Sequence, residues 1–255
     1  MKNSTTTFFK LAITYLSFIF LAILFTSCSK EDDLIILEEP TPQLCVKRTV
    51  DYSSEWSINT NIYSYNYDGS KLLDWTETRI DDNSTTTTTY SNVYIDGNIT
   101  SIIVSGSNGT TVYDFEYDNL GRVTKQFKNL SLEFRYSYIG DSVKKYNDLF
   151  VLIGEQVYDQ NNNLVLNKTK QATDSTWTQV LNYENDNMNM PFKNVESWYP
   201  LSPFRYVGHN NITKVETNTT TINMNISYDF NDFPEYIETI YSDGRSKSET
   251  LEYNN

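Results

Sequence analysis

A single histidine, His209, is all that 255 residues offer to a Ser-His-Asp or Cys-His site. It lies in Tyr206-Val207-Gly208-His209-Asn210-Asn211, a turn-like stretch with no nucleophile elbow nearby, so the sequence nominates no catalytic residue. Basic residues are also short: 20 Lys and Arg face 33 Asp and Glu, a net charge of −13. That leaves no basic footprint for nucleic acid. Nine glycines are too few to punctuate a β-helix or a propeller, and none forms a Gly-rich phosphate loop. Acids are plentiful, but no pair stands out as the two carboxylates of a glycosidase. Asp159, Asn161 and Asn163 mimic half of an EF-hand loop, yet Leu164 stands where Gly is needed and Lys170 where the bidentate Glu belongs. The expectation is turn chemistry, with no metal and no cofactor.

Long apolar runs are missing except one. Leu11 to Phe25 is fifteen residues without a charge, between Lys10 and Thr26-Ser27-Cys28. As a helix it would span about 22 Å, short of a hydrocarbon core of ~30 Å. A basic start, an apolar stretch and small residues before a cut describe a secretory signal peptide, residues 1–27. With a cysteine directly after the small residues, it resembles a bacterial lipoprotein signal. The resemblance implies cleavage before Cys28 and a lipid on its thiol. Cys28-Ser29-Lys30-Glu31-Asp32-Asp33 is similar to the Lys-and-acid stretch that routes surface lipoproteins of Bacteroidota to the outer leaflet. It opens an acidic tether, residues 28–45, before a domain at 46–255. Cleavage removes two lysines and no acid, so 18 basic residues face 33 acids, a net charge near −15. Cys45 is then the only free cysteine, expected as a small, partly buried apolar residue. One histidine and one thiol fall short of a zinc set.

The rest of the chain is repetitive. In Tyr113 to Phe127 (YDFEYDNLGRVTKQF), Tyr113, Phe115 and Tyr117 share one parity, and Asp114 and Glu116 the other. Asp118-Asn119-Leu120-Gly121 is turn chemistry, and Val123 starts a return strand. Similar junctions follow Tyr67, Tyr94, Tyr138, Tyr158, Tyr183, Val207, Tyr228 and Tyr253, each interval being two strands and two turns. LEFRYSY sets Leu132, Phe134, Tyr136 and Tyr138 against Glu133, Arg135 and Ser137. INMNISY sets Ile222, Met224, Ile226 and Tyr228 against Asn223, Asn225 and Ser227. Thr85 to Thr89 reads as an exposed strand. The expectation is an all-β, antiparallel up-and-down meander of about 16–18 strands forming a large curved sheet or barrel.

These junctions resemble YD-type repeats. The whole span from acidic tether to terminal EYNN is similar to a family of Bacteroidota lipoproteins described as having a porin-like β fold, a resemblance that implies no catalytic residues. One interval is irregular: Met190 to Phe204 contains Pro191, Pro200 and Pro203, which offer no amide hydrogen to a ladder. It reads as a long loop, either a plug over an open end of the sheet or an aromatic platform. Phe192, Trp198, Tyr199 and Phe204 are the candidate ligand-binding residues. Two readings of the sheet stay open. The aromatic face turns inward, in a soluble barrel or curved sheet, or it meets lipid, as in outer-membrane barrels. Lys125, which shares parity with Val123 and Phe127, interrupts the apolar face and speaks against lipid. The favoured function is a lipid-anchored, non-catalytic binding or scaffold module of the outer membrane, displayed on the cell surface, with a glycan or an envelope protein as partner. The alternative is an outer-membrane barrel or pore-like structural protein.

Overall fold

A computed structural model describes residues 41–54, 57–196 and 210–254. Cys28, Trp56, Trp198, Tyr199, Phe204 and His209 lie outside the described residues. The chain divides into two compact units, Met1–Thr41 and Pro42–Asn255, and the second holds every described strand. The strands are β1 (Cys45–Ser54), β2 (Ser57–Asp68), β3 (Lys71–Asp81), β4 (Ser84–Ile95), β5 (Asn98–Gly106), β6 (Gly109–Tyr117), β7 (Val123–Lys128) and β8 (Ser131–Ile139). They continue as β9 (Ser142–Asn147), β10 (Leu152–Tyr158), β11 (Leu164–Thr169), β12 (Gln179–Asn185), β13 (Ile212–Glu216), β14 (Thr221–Tyr228), β15 (Pro234–Ile240) and β16 (Ser246–Tyr253). Each pairs antiparallel with its neighbours in sequence, and β1 pairs with β16 from Cys45↔Tyr253 to Ser53↔Ser246, closing a barrel of 16 strands.

The repeat has a structural meaning. An interval of two strands brings each tyrosine junction back to the same end, so the turns after Tyr67, Tyr94, Tyr117, Tyr138, Tyr158 and Tyr228 crown one end of the barrel. There the repeat tyrosines face inward beside a β-bulge, in pairs such as Tyr67↔Leu72, Tyr94↔Ile99, Tyr117↔Val123 and Tyr158↔Leu164. A bulge disturbs the ladder and frees a carbonyl, and the tyrosine of the next repeat supplies the missing donor. Tyr67 Oη donates to Cys45 O at 2.8 Å, Tyr94 to Leu72 O at 2.8 Å, Tyr138 to Val123 O at 2.9 Å and Tyr253 to Pro234 O at 2.9 Å. Asn185 Nδ2 fills the same role toward Leu164 O at 3.0 Å.

The acidic residue after the tyrosine shapes the turn. Asp118 Oδ1 accepts from the amides of Leu120 and Arg122, both at 2.9 Å, and Gly121 at φ +73° completes a bend that L-residues seldom adopt. These backbone donors, then the Arg122 side chain, hold the Asp118 carboxyl below its usual range. Asp159 and Asp229 repeat the geometry, and Asp159 Oδ1 takes the amides of Asn161 and Asn163 at 2.8 Å each. The EF-hand-like spacing is therefore a turn.

Tyr253→Phe keeps the ring, which lies 5.5 Å from Phe233, and removes only the hydroxyl donor to Pro234. The expected loss is about 1 kcal/mol. In a domain of this size that lowers the melting temperature by roughly 2–4 °C, which calorimetry would detect. An unchanged transition would mean that the hydroxyl latch contributes nothing.

Bulges also correct two expectations drawn from strict alternation. Opposite Glu116/Tyr117 the register slips between Val123 and Lys125, so Val123 and Gln126 face inward and Lys125 turns out toward Glu116. Leu132 pairs with Phe127 across a second slip and leaves the face of Phe134, Tyr136 and Tyr138. Leu44 and Cys45, assigned to the tether, belong to the barrel core at 4 % and 0 % exposure. Burial pushes the Cys45 thiol up to about 12, leaving it an inert apolar residue.

Candidate functional site

Which face is the inside follows from one cluster. Tyr65, Trp75, Ile102, Phe115, Tyr136 and Leu251, from β2, β3, β5, β6, β8 and β16, pack as a single core and are buried. Side chains on the outer wall stand open to solvent, so residues buried to this degree face the lumen. The outward parity carries ion pairs instead: Lys47–Glu252 at 2.6 Å, Lys125–Glu116 at 2.5 Å, Lys168–Glu155 at 3.3 Å, and Lys214 with Glu184 at 2.8 Å and Glu216 at 2.6 Å. Between them the wall shows Thr, Ser and Asn, as in Asn223, Asn225 and Ser227 of β14, all exposed.

The wall is also low on one side. β7, β9 and β11 have six residues each and β13 five. Six residues rise about 20 Å along a strand, or roughly 14 Å at a 45° tilt. The apolar band of an outer-membrane barrel is about 25 Å tall.

The segment after β12 closes the tyrosine end. Met190, Phe192 and Val195 join the core, and the Phe192 ring meets Tyr65 edge-on at 5.1 Å. Backbone and side-chain bonds tie the segment around the rim. Asn189 N donates to Asp232 O at 3.0 Å, Asn194 Nδ2 to Gln43 O at 2.9 Å and Glu196 N to Ser70 O at 2.9 Å, and Ser70 Oγ meets the Glu196 carboxylate. Of the four residues expected to bind a ligand, Phe192 alone is described, and at 8 % exposure it is part of this plug. Trp75 is also core, parallel to Tyr90 at 4.6 Å.

Deeper in the lumen lies a charged cluster that alternation hints at only as an acid on an apolar face. Glu249 shares parity with Leu251 and Tyr253 and is buried. Its carboxylate takes Arg48 Nη2 at 2.5 Å and Lys247 Nζ at 2.5 Å. Burial alone would raise the Glu249 carboxyl, but the two cations outweigh it and hold it below the usual range. Beside it Glu77 accepts from the hydroxyls of Tyr63 and Tyr90, both at 3.1 Å. Among the described residues no group of three or more His, Cys, Asp and Glu is arranged to hold a metal. The arrangement is one of structural acceptors and counter-ions, without a nucleophile beside a base.

No family model matches the chain, and no curated protein does. Among solved structures it is similar to a porin-like protein from Bacteroides uniformis, at a TM-score of 0.59 and 14 % identity, over 85 % of this chain and 100 % of that one. A porin-like protein from Bacteroides vulgatus aligns at 16 % identity and a TM-score of 0.44, over 84 % of this chain and 99 % of that one. At such identity the first likeness speaks for the fold alone: this chain has the porin-like β-barrel architecture.

Proposed function

We propose that this protein is a non-catalytic barrel of the cell envelope, carried at the outer membrane by a lipid on Cys28, with its wall standing in water. Of the two functional readings of the sequence, the likeness to a porin-like barrel favours the outer-membrane barrel or pore-like structural protein over the lipid-anchored binding or scaffold module. The observation that carries the wall-in-water reading is the distribution of its faces. Ion pairs stud the outer wall, while the apolar core and the Arg48–Glu249–Lys247 cluster lie inside. Moving one charged side chain to the bilayer midplane on such a barrel costs about 2–4 kcal/mol, and this wall carries many. Strands of five and six residues add a second objection to a lipid-embedded wall. The core and plug speak for a scaffold and against a water-filled channel. Surface display is supported by the Lys30-Glu31-Asp32-Asp33 stretch.

Residues 29–255 are expected to elute as a sharp monomeric peak in buffer without detergent. Protein that stays in solution only in micelles would overturn the proposed wall and return the barrel to the bilayer. Labelled palmitate is expected to enter the wild-type chain and not Cys28→Ala, and label in both would sink the anchor.

A further inference from the structure

The end of the barrel opposite the plug holds a cavity of about 440 Å³, where β1, β2 and β3 meet the β15–β16 hairpin. Volumes of that order accommodate small-molecule ligands. The lining is unusual for so acidic a chain: among the described residues Arg79 and Arg245 line it and no Asp or Glu does. Tyr52 and Tyr241 add two aromatic rings, and Asn59 and Asn61 two amides. Register brings four of these together. Tyr52 pairs with Asn59 and Asn61 with Arg79, all on the inward parity of adjacent strands.

The polar groups are only partly used. Arg79 meets Asp81 through Nε alone, at 3.4 Å. Arg245 is steadied by Asp243 at 2.7 Å, and its guanidinium carbon lies 5.4 Å from the centre of the Tyr241 ring. A guanidinium has five donors in a planar fork, so each arginine retains donors for a carboxylate. Asn61 is 9 % exposed, and its Oδ1 is buried without a hydrogen-bond partner. Buried acceptors are ordinarily satisfied, and this one lacks a donor such as a hydroxyl.

We propose that this cavity binds a carboxylate-bearing saccharide, a uronic acid unit of an acidic glycan. Its carboxylate takes the Arg79 fork with Arg245 beside it, its C–H faces lie on the tyrosine rings, and its hydroxyls bond the two asparagines. The chain's net charge of −13 repels such an anion over most of the surface, so the arginine-lined mouth is where attraction concentrates. The site lies at the other end of the barrel from Phe192.

The test is calorimetric titration of the intact protein, in mild detergent where its N-terminus requires it, with trigalacturonic acid and with a neutral galactose trisaccharide. The acidic probe is expected to bind at least tenfold more tightly than the neutral one, and to weaken as salt is raised. Arg79→Ala is expected to cost about another tenfold, roughly 1.4 kcal/mol, while the melting temperature stays put because the side chain is 58 % exposed. Should Arg79→Ala disturb the fold, Arg245→Ala, also largely exposed at 63 %, serves as the second variant with the same expected loss. Equal affinity for the two probes, binding indifferent to both arginines, or no heat from either probe at millimolar concentration would each overturn the assignment.

Discussion

Phe192→Ala is expected to destabilise the barrel by about 3 kcal/mol, the lower end for removing a buried phenylalanine side chain. The low end applies because Met190 and Val195 keep packing on the same core, and the Glu196–Ser70 bonds still pin the segment to the β2–β3 turn. In a domain of about this size the melting temperature should fall by roughly 6–12 °C. Binding of a hydrophobic dye should rise as the ring's place against Tyr65 opens. An aromatic platform for a ligand makes the opposite prediction, because a ring used for recognition is removable without loss of stability. A transition within a degree of wild type would therefore hand Phe192 back to the ligand-binding reading.

Glu249→Ala should be the more damaging change. It leaves Arg48 and Lys247 facing each other in the lumen without their shared carboxylate. Breaking a buried ion pair by removing one partner costs about 3–5 kcal/mol, roughly 6–20 °C in melting temperature. Glu249→Gln, which keeps the shape and one acceptor, should lose less. The pH dependence separates charge from packing. The Glu249 carboxyl is held below its ordinary range in the folded state, so its contribution is complete above the ordinary value of 4.5 and is lost as pH falls through the lowered one. The gap between wild type and Glu249→Gln should accordingly be widest near neutrality and close as the medium is acidified below that value. Melts at several acidic pH values would show it; a gap of constant width would mean that the loss is one of packing alone.

Much of the architecture was legible locally. Period-two alternation, Asp- and Asn-rich turns and a recurring tyrosine are properties of ten or so consecutive residues, and they were enough for an all-β meander of about the observed strand number. The tyrosine was recognisable as an anchor, but not as a latch on the previous repeat. Its acceptor, such as Leu72 O for Tyr94, lies beyond the reach of local pattern. Alternation erred where a bulge added a residue: one extra position at Val123–Lys125 reverses every later side chain of that strand, and no residue type announces it.

Composition, alternation and turn chemistry in the sequence alone settled that the chain forms antiparallel hairpins with one apolar and one polar face, because each of these is decided within a strand and its turn. Tertiary structure decided that Cys45 meets Tyr253 and shuts the barrel, that the apolar face turns inward, that Phe192 belongs to a plug, and that Arg79 and Arg245 share a cavity. Those outcomes depend on residues far apart in the chain. They are set by how much apolar surface closure can remove from water, a quantity no single strand contains.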